Sequence, residues 1–181
     1  MVSIHQLKNT FDGCPAAVLG GGPSLPKDLQ RVPDDALLLA VNHHAFGHCD
    51  PHMLVYMDDP REFPNLKKVT DSFAGLQITT QPGLGDVDMS RVAYWLGPGS
   101  GIFATWLACW LGCDPVLLCG MDLYQGETKY CHADEGHKPI FDYALDEHLR
   151  RWRAGLRLCS GIERVFVLSG PLEDVFPRYQ N

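Results

Sequence analysis

The sequence lacks a long apolar segment and an excess of positive charge, and each absence excludes a class of protein. No apolar run approaches the roughly 20 residues of a membrane-spanning helix, and residues 1–10 lack the basic start and apolar run of a signal peptide. Lysine and arginine total 15 against 22 acidic residues, and the net charge of -7 repels polyanions. We therefore expect a cytoplasmic protein without a membrane span or a nucleic-acid partner.

A regular cysteine pattern and internal repeats are also missing. The seven cysteines are odd in number and lie mostly in apolar runs, which is typical of reduced thiols in a core. The 181 residues are 45% hydrophobic and 20% charged, the balance of a globular protein that needs neither disulfides nor a structural metal. We predict one domain, residues 1–181, and leave the oligomeric state open, with a homo-oligomer as one alternative.

Short apolar runs alternate with helical patterns along the chain. The runs predict strands at 16–19, 36–41, 53–57, 76–79, 92–96, 115–119 and 165–168. Apolar residues at helical spacing predict a buried helix over 100–112 and an amphipathic helix over 139–158, whereas 81–88 has the composition of a turn. Strand and helix in alternation predict an α/β fold, a three-layer α/β/α, Rossmann-like domain with a mostly parallel sheet.

Two glycine-rich turns are expected at the edge of the sheet where its strands end, the edge at which such sheets bind ligands. The first turn consists of Gly20, Gly21, Gly22, Pro23 and Ser24 and opens a short helix. The second turn, residues 97–101, includes Ser100 and Gly101 and precedes the buried helix. Backbone N–H groups at such turns favour phosphate, although a plain tight turn and a helix N-cap at Ser100 are alternative interpretations.

The segment after the strand at 115–119 concentrates carboxylate, phenol and imidazole groups. Its candidate site residues are Asp122, Tyr124, Tyr130, His132 and His137. Loops of this composition above a sheet are where binding and catalytic sites form. Taken singly, Asp122 also fits a turn former and the tyrosines fit amphipathic packing.

Three groups of residues invite a metal hypothesis. Zinc ligands occur together at His43, His44, His48, Cys49 and His52, and again at Cys131, His132 and His137. Neither spacing matches a zinc finger or a His-Glu-x-x-His helix, so we predict no bound metal. The carboxylates of Asp58, Asp59 and Asp122 are better suited to a magnesium ion carried with a nucleotide.

Four short motifs occur in an order that resembles a known superfamily. They are Gly-Gly-Gly-Pro-Ser-Leu at 20–25, Asn42 at the end of the second strand, Gly-Ser-Gly at 99–101 and Cys-Gly-Met-Asp-Leu-Tyr at 119–124. Together they resemble the MptE-like Rossmann group, named for archaeal 6-hydroxymethylpterin diphosphokinase, and the family-42 bacterial sialyltransferases, over roughly residues 15 to 170. The spacing of Tyr124 and Tyr130, with His137 before the amphipathic helix, favours the sialyltransferases.

The resemblance implies metal-free transfer of a sugar from a CMP-activated donor to a glycan or other small-molecule acceptor. It implies that residues 20–24 and Asn42 hold the cytidine nucleotide and that Ser100 and Gly101 flank the sugar and phosphate. We add Asp122 to these nucleotide-binding residues. Tyr124 and Tyr130 would donate hydrogen bonds to the departing phosphate. His137 would deprotonate the acceptor hydroxyl. The nucleotide is thus a co-substrate, and no tightly bound cofactor is expected.

The chain departs from the sialyltransferase pattern at three places. Gly97 and Pro98 stand where that family carries an arginine, Gly21 replaces a typical asparagine, and the loop from Tyr130 to His137 is shorter than that family's acceptor-binding lid. Two alternatives therefore stay open. One is an MptE-like pyrophosphokinase that uses ATP and magnesium near Asp58, Asp59 or Asp122, and the other is a nucleotide-binding domain without turnover.

Overall fold

A seven-stranded sheet in which every neighbouring pair is parallel forms the centre of the fold. The computed structural model describes residues 2–89, 99–125, 127–131, 144–157 and 159–180. The strands are β1 (Ala16–Leu19), β2 (Leu37–Val41), β3 (Met53–Tyr56), β4 (Leu76–Thr79), β5 (Val87–Asp88), β6 (Val116–Cys119) and β7 (Val165–Val167). Their order across the sheet is β5-β4-β3-β2-β1-β6-β7.

Helices cover both faces of the sheet and complete the predicted three-layer α/β/α fold. They are α1 (Leu25–Leu29), α2 (Pro64–Ser72), α3 (Ser100–Trp110) and α4 (Leu145–Leu156). Alternate strand residues enter two separate cores, so that Val18 packs with α3 and α4 on one face while Leu19 packs with α1 on the other. A third cluster joins Leu54 and Tyr56 to Leu66 of α2. The Rossmann-like α/β prediction is confirmed.

Helix α3 lies against the central strands and is the most buried helix of the described chain. Every residue from Ile102 to Cys109 is buried, as its apolar character on all sides predicts. The hydroxyl of Thr105, which is fully buried, donates to the carbonyl oxygen of Gly101 at 2.8 Å and so satisfies its own polar group inside the helix. Helix α3 packs against β1, β2, β3 and β6.

The strand order reverses between β1 and β6. From β1 the chain proceeds outward through β2, β3, β4 and β5, and it then returns to place β6 on the other side of β1. The connections leaving β1 and β6 thus diverge to opposite sides, which opens a crevice at their carboxyl ends. Residues 20–22 and 120–122 lie at this crevice because they directly follow these two strands.

Some local predictions differ from the structure. The predicted turn over 81–88 contains β5, because Val87 and Asp88 pair with Ile78 and Thr79 at the end of the sheet. Helix α2 was not predicted, and α4 begins at Leu145 after the extended residue Ala144 rather than at 139. The predicted strand at 92–96 and residues 139–143 lie outside the described residues.

None of the helices formed by the described residues has the length and apolar character that a membrane crossing requires. All seven cysteines are free thiols, and four of them, at 109, 113, 119 and 159, are buried.

Candidate functional site

A cavity of about 380 Å³ occupies the crevice where the strand order reverses. Nine predicted site residues line it: Gly20, Gly21, Gly22, Asn42, Ser100, Gly101, Asp122, Tyr124 and Tyr130. The two glycine turns, which are far apart in the sequence, therefore meet at one site. We call Gly20–Gly22 the first elbow and Gly99–Gly101 the second elbow.

The first elbow is held by its own backbone hydrogen bonds. The N–H of Gly20 donates to Cys119 O and that of Gly22 donates to Gly120 O, both at 2.8 Å. The carbonyl oxygen of Gly21 accepts from the N–H of Cys131 at 2.9 Å. Among the described residues, only the N–H of Gly21 in this elbow has no acceptor. The sequence favours a phosphate held by several N–H groups of this turn, but within the described chain the first elbow has only one such donor left, the N–H of Gly21.

Asp122 and Asp28 fix the helix that follows the first elbow. Asp122 Oδ2 accepts from the N–H of Ser24 at 3.1 Å and from its hydroxyl at 2.8 Å. Asp28, only 1% exposed, accepts from the N–H of Gly120 at 3.0 Å and from the Ser169 hydroxyl at 2.7 Å, and its Oδ2 lies 3.1 Å from Ser24 Oγ. The single hydroxyl proton of Ser24 serves one carboxylate at a time. Ser24 thus connects two carboxylates beside the cavity, and neither it nor Pro23 lines the cavity.

The second elbow offers free donors instead. Gly99, with φ of 156°, precedes α3, and the first helical bond is donated by the N–H of Phe103 to Gly99 O at 3.0 Å. The N–H groups of Ser100, Gly101 and Ile102 have no acceptor among the described residues, and all three residues line the cavity. Ser100 is the first helical residue rather than the N-cap, so the alternative interpretation of its role is wrong. This end of α3 suits an anion.

Asn42 presents a buried acceptor at the end of β2. Its backbone has φ of 55°, and its Nδ2 donates to Asp58 Oδ2 at 3.0 Å. Its Oδ1 is buried and has no hydrogen-bond partner among the described residues. A buried carbonyl oxygen without a donor is costly, so this atom suits a ligand that carries an N–H or O–H group.

Tyr124 and Tyr130 form one wall of the cavity. Their rings meet edge to face with centroids 5.8 Å apart, and Tyr130 is 8% exposed. Burial raises the pKa of the Tyr124 phenol, the Asp58 carboxylate raises it further, and a hydrogen bond with Tyr130 opposes both effects. Leu123 and Tyr124 have φ of 51° and 59°, a left-handed conformation that is costly for such residues and is concentrated at functional sites.

Three imidazoles that were not predicted to lie at this site also line the cavity. His43 and His44 follow Asn42 with ring centroids 4.2 Å apart, and His44 stacks on Tyr130 at 4.8 Å. His148, on α4, is 8% exposed with its ring 5.9 Å from that of Tyr124. Its position in an amphipathic helix would have been the only sequence signal, because buried and solvent-facing histidines look alike without a fold.

Two cationic side chains, those of Lys129 and Arg151, also line the cavity. Lys129 donates to the carbonyl oxygen of Tyr124 at 2.6 Å. Arg151 lines the cavity, and its Nε donates to Glu147 at 2.7 Å. Hydrogen bonds from Arg150 and Arg151 lower the pKa of Glu147 to about 2, so this carboxylate stays charged and orients Arg151 at neutral pH. The cavity thus carries two cationic side chains beside the carboxylates of Asp58 and Asp122, although the net charge of the chain is -7.

In the described part of the chain, neither the histidines and cysteine of 43–52 nor the three carboxylates come together as a metal site, and two members of the Cys131 group lie outside that part. Within the described residues, no group of three or more His, Cys, Asp or Glu side chains could hold a metal ion. Asp58 accepts from Asn42, Asp59 forms an ion pair with Arg61, and Asp122 accepts from Ser24. His132 and His137, the latter the candidate base, lie outside the described residues.

Comparison with known proteins gives a fold similarity at low sequence identity. No protein-family model matches the chain, and no curated protein sequence is similar enough to match. The structure is similar to that of the sialyltransferase CstII from Campylobacter jejuni in complex with a substrate analogue, cytidine-5'-monophosphate, with a TM-score of 0.64 and 14% identity over 93% of this chain and 86% of that one. The MAf glycosyltransferase from Magnetospirillum magneticum AMB-1 matches 76% of this chain and 26% of its own, at 16% identity and a TM-score of 0.47. The chain shares the sialyltransferase fold.

Proposed function

We propose that the protein is a glycosyltransferase that uses a CMP-activated sugar without a metal ion. The observation that carries this proposal is the cavity itself, in which the two elbows, Asn42 and the tyrosine pair come together. The similar sialyltransferase, solved with cytidine-5'-monophosphate, supports the choice of nucleotide. The acceptor in this proposal is a glycan or a small molecule with a hydroxyl group.

The nucleoside is proposed to lie over the first elbow and Asn42. Both line the cavity, so a flat ring that lies there would contact the elbow backbone and the Asn42 side chain together. The buried Oδ1 of Asn42 would accept a hydrogen bond from the exocyclic amine of cytosine. Uracil presents a carbonyl oxygen where cytosine has this amine, so two acceptors would face each other and binding would weaken.

The phosphate is proposed to lie at the second elbow and the tyrosine pair. The first-turn N–H groups of α3 and the positive end of its dipole favour the phosphate. The phenol of Tyr124 is protonated at neutral pH, as every phenol with an ordinary or raised pKa is, and would donate a hydrogen bond to the phosphate. When the acceptor oxygen bonds to the anomeric carbon, the carbon–oxygen bond to phosphate breaks, and CMP leaves with the electron pair and these hydrogen bonds.

The proton of the acceptor hydroxyl goes to a histidine. The family resemblance assigns this role to His137, and we keep that assignment in the proposal. The cavity contributes a second candidate, His148, whose imidazole lies beside Tyr124. Replacing each histidine by glutamine distinguishes the two candidates, because glutamine keeps polarity and approximate size but does not titrate. Only replacement of the true base should lower turnover strongly.

Ligand-induced thermal stabilisation tests the nucleotide assignment. A ligand that binds only the folded state raises the unfolding midpoint, so CMP, UMP, CDP, ATP and GTP are compared with and without magnesium. We expect CMP to stabilise the protein without magnesium, and UMP to do so less. Stabilisation by ATP that requires magnesium would instead support the pyrophosphokinase alternative.

Turnover of a CMP-sugar tests the chemistry. His137→Gln is expected to lower kcat by about 100-fold or more with little change in CMP affinity, whereas exposed His48, replaced in the same way, serves as the control. Loss with His148→Gln but not with His137→Gln would move the base to α4. CMP binding without turnover of any CMP-sugar and acceptor would favour the non-catalytic alternative.

A further inference from the structure

His44 connects the first elbow to the tyrosine wall. Its side chain is 7% exposed and follows Asn42 by two residues at the end of β2. A Cβ atom at Gly21 would lie 2.5 Å from Cγ of the His44 ring, so the glycine is required for the ring to lie where it does. The elbow backbone therefore packs directly on this imidazole.

The ring of His44 also contacts Tyr130, which belongs to the tyrosine wall. The two rings are nearly parallel, with centroids 4.8 Å apart and planes 17° from each other. The next residue, Cys131, donates its N–H to Gly21 O at 2.9 Å and its thiol to the carbonyl oxygen of His44 at 3.8 Å. Residues 130 and 131 are thus attached to the elbow and to His44 by a ring stack and two hydrogen bonds.

We propose that His44 is a positioning residue that sets the ring of Tyr130 against the leaving phosphate. This inference rests on the proposed function, because it assigns a purpose to the orientation of Tyr130. A phenol that stabilises a departing phosphate must keep its hydroxyl within hydrogen-bond distance of one oxygen. The hydrogen bond from Cys131 to Gly21 fixes the backbone beside Tyr130, and the stack on His44 fixes the orientation of its ring.

The pairing also explains why Gly21 stands where the sialyltransferases typically carry asparagine. Any side chain at position 21 would collide with the His44 ring, and the stack on Tyr130 would be lost. In this chain the space that a side chain at position 21 would take is filled by the His44 ring, which stacks on Tyr130.

The first arm of the test needs no ligand. Ring resonances of ¹³C-labelled tyrosine are recorded for the wild type, His44→Leu and His44→Phe, and Tyr130→Phe identifies the Tyr130 signal. We expect His44→Leu to shift the Tyr130 signal away from its wild-type position. His44→Phe keeps a flat ring, and we expect it to leave the Tyr130 signal close to the wild-type position. Gly21→Ala is a second route that leaves residue 44 unchanged, and we expect it to shift the same signal. An unchanged Tyr130 signal in both His44→Leu and Gly21→Ala overturns the positioning role.

The second arm is a double-mutant cycle on turnover. His44→Leu is expected to lower kcat by roughly 10-fold or more with KM for the CMP-sugar changed by less than about 3-fold, and His44→Phe is expected to restore most of the loss. In a Tyr130→Phe background, His44→Leu is expected to have little further effect, since both changes remove the same contribution. Additive losses overturn the inference.

No turnover by the wild type contradicts the proposed function, and in that case the tyrosine resonances still decide whether His44 holds Tyr130. His48→Leu, at an exposed histidine outside the cavity, is the matched control.

Discussion

The two glycine elbows look alike in the sequence but differ in what their backbones have left to offer. In the first elbow, the N–H groups of Gly20 and Gly22 are bonded to the end of β6, and the Gly21 carbonyl accepts from Cys131. In the second elbow, the N–H groups of Ser100 and Gly101 open a long buried helix and face the cavity without an acceptor among the described residues.

This difference divides the proposed nucleotide site into two parts. The first elbow keeps only the N–H of Gly21 without an acceptor among the described residues, so it contributes little charge and suits the nucleoside. Unsatisfied donors at the start of a helix carry a positive partial charge, so the second elbow suits the phosphate. Glycine in a turn therefore indicates close approach of the chain, and only the hydrogen bonds around the turn decide whether it binds an anion.

Asp28→Ala should have the largest effect, and it tests whether the first elbow is a fixed part of the fold. The change leaves the N–H of Gly120 and the Ser169 hydroxyl without their buried acceptor. We expect a loss of about 3 kcal/mol in the free energy of unfolding, measured by urea denaturation. The control, Asp35→Ala at an exposed carboxylate, should cost less than about 0.5 kcal/mol. Equal stability of the two variants would show that this network does not hold the elbow.

Ser100→Pro and Ser100→Ala together test the donors of the second elbow. Proline is tolerated at the first helical position and removes one N–H, whereas alanine removes only the hydroxyl. We expect Ser100→Pro to weaken CMP binding by about 10-fold or more beyond Ser100→Ala, the loss of one hydrogen bond to a charged group. Cytidine, which has no phosphate, should bind both variants equally well in calorimetry. An equal loss of affinity for cytidine and CMP would place the phosphate elsewhere.

Tyr124→Phe has the smallest expected effect and concerns the phenol beside the second elbow. Burial raises the pKa of Tyr124, so the folded state retains this proton at a pH where the unfolded chain, with a pKa of about 10, releases it. The folded state then binds more protons, and the free energy of unfolding must fall as pH rises through about 10. Denaturation between about pH 8 and 11 should show a shallower decline for Tyr124→Phe than for the wild type. Parallel curves would contradict the burial of this phenol.

The sequence predicted the parts of the fold that depend on strong local patterns. Continuous apolar runs such as 16–19 and 116–119 form the buried parallel strands, and helix α3 has the predicted burial on all sides. It missed α2, whose only fully buried side chain is Leu66 and whose stability depends on packing against Leu54 and Tyr56. It also missed β5, a two-residue strand held by backbone pairing that has no side-chain signature.

The candidate site was predicted as a set of positions but not as a set of hydrogen bonds. Strand ends alone place Asn42, Asp122 and the elbows at one edge of the sheet. They do not reveal that the Ser24 hydroxyl is occupied by carboxylates, or that His44 stacks on Tyr130. Such details depend on side chains that are distant in sequence and meet only after folding.

Backbone amide spectra of ¹⁵N-labelled protein, titrated with CMP and separately with cytidine, show which elbow contacts the phosphate. We expect cytidine to shift the signals of Gly21 and Asn42, and CMP to shift these and also the amides of Ser100, Gly101 and Ile102. If CMP and cytidine shift the same amides to the same extent, or if CMP leaves the start of α3 unchanged, the division of the site between the two elbows is wrong.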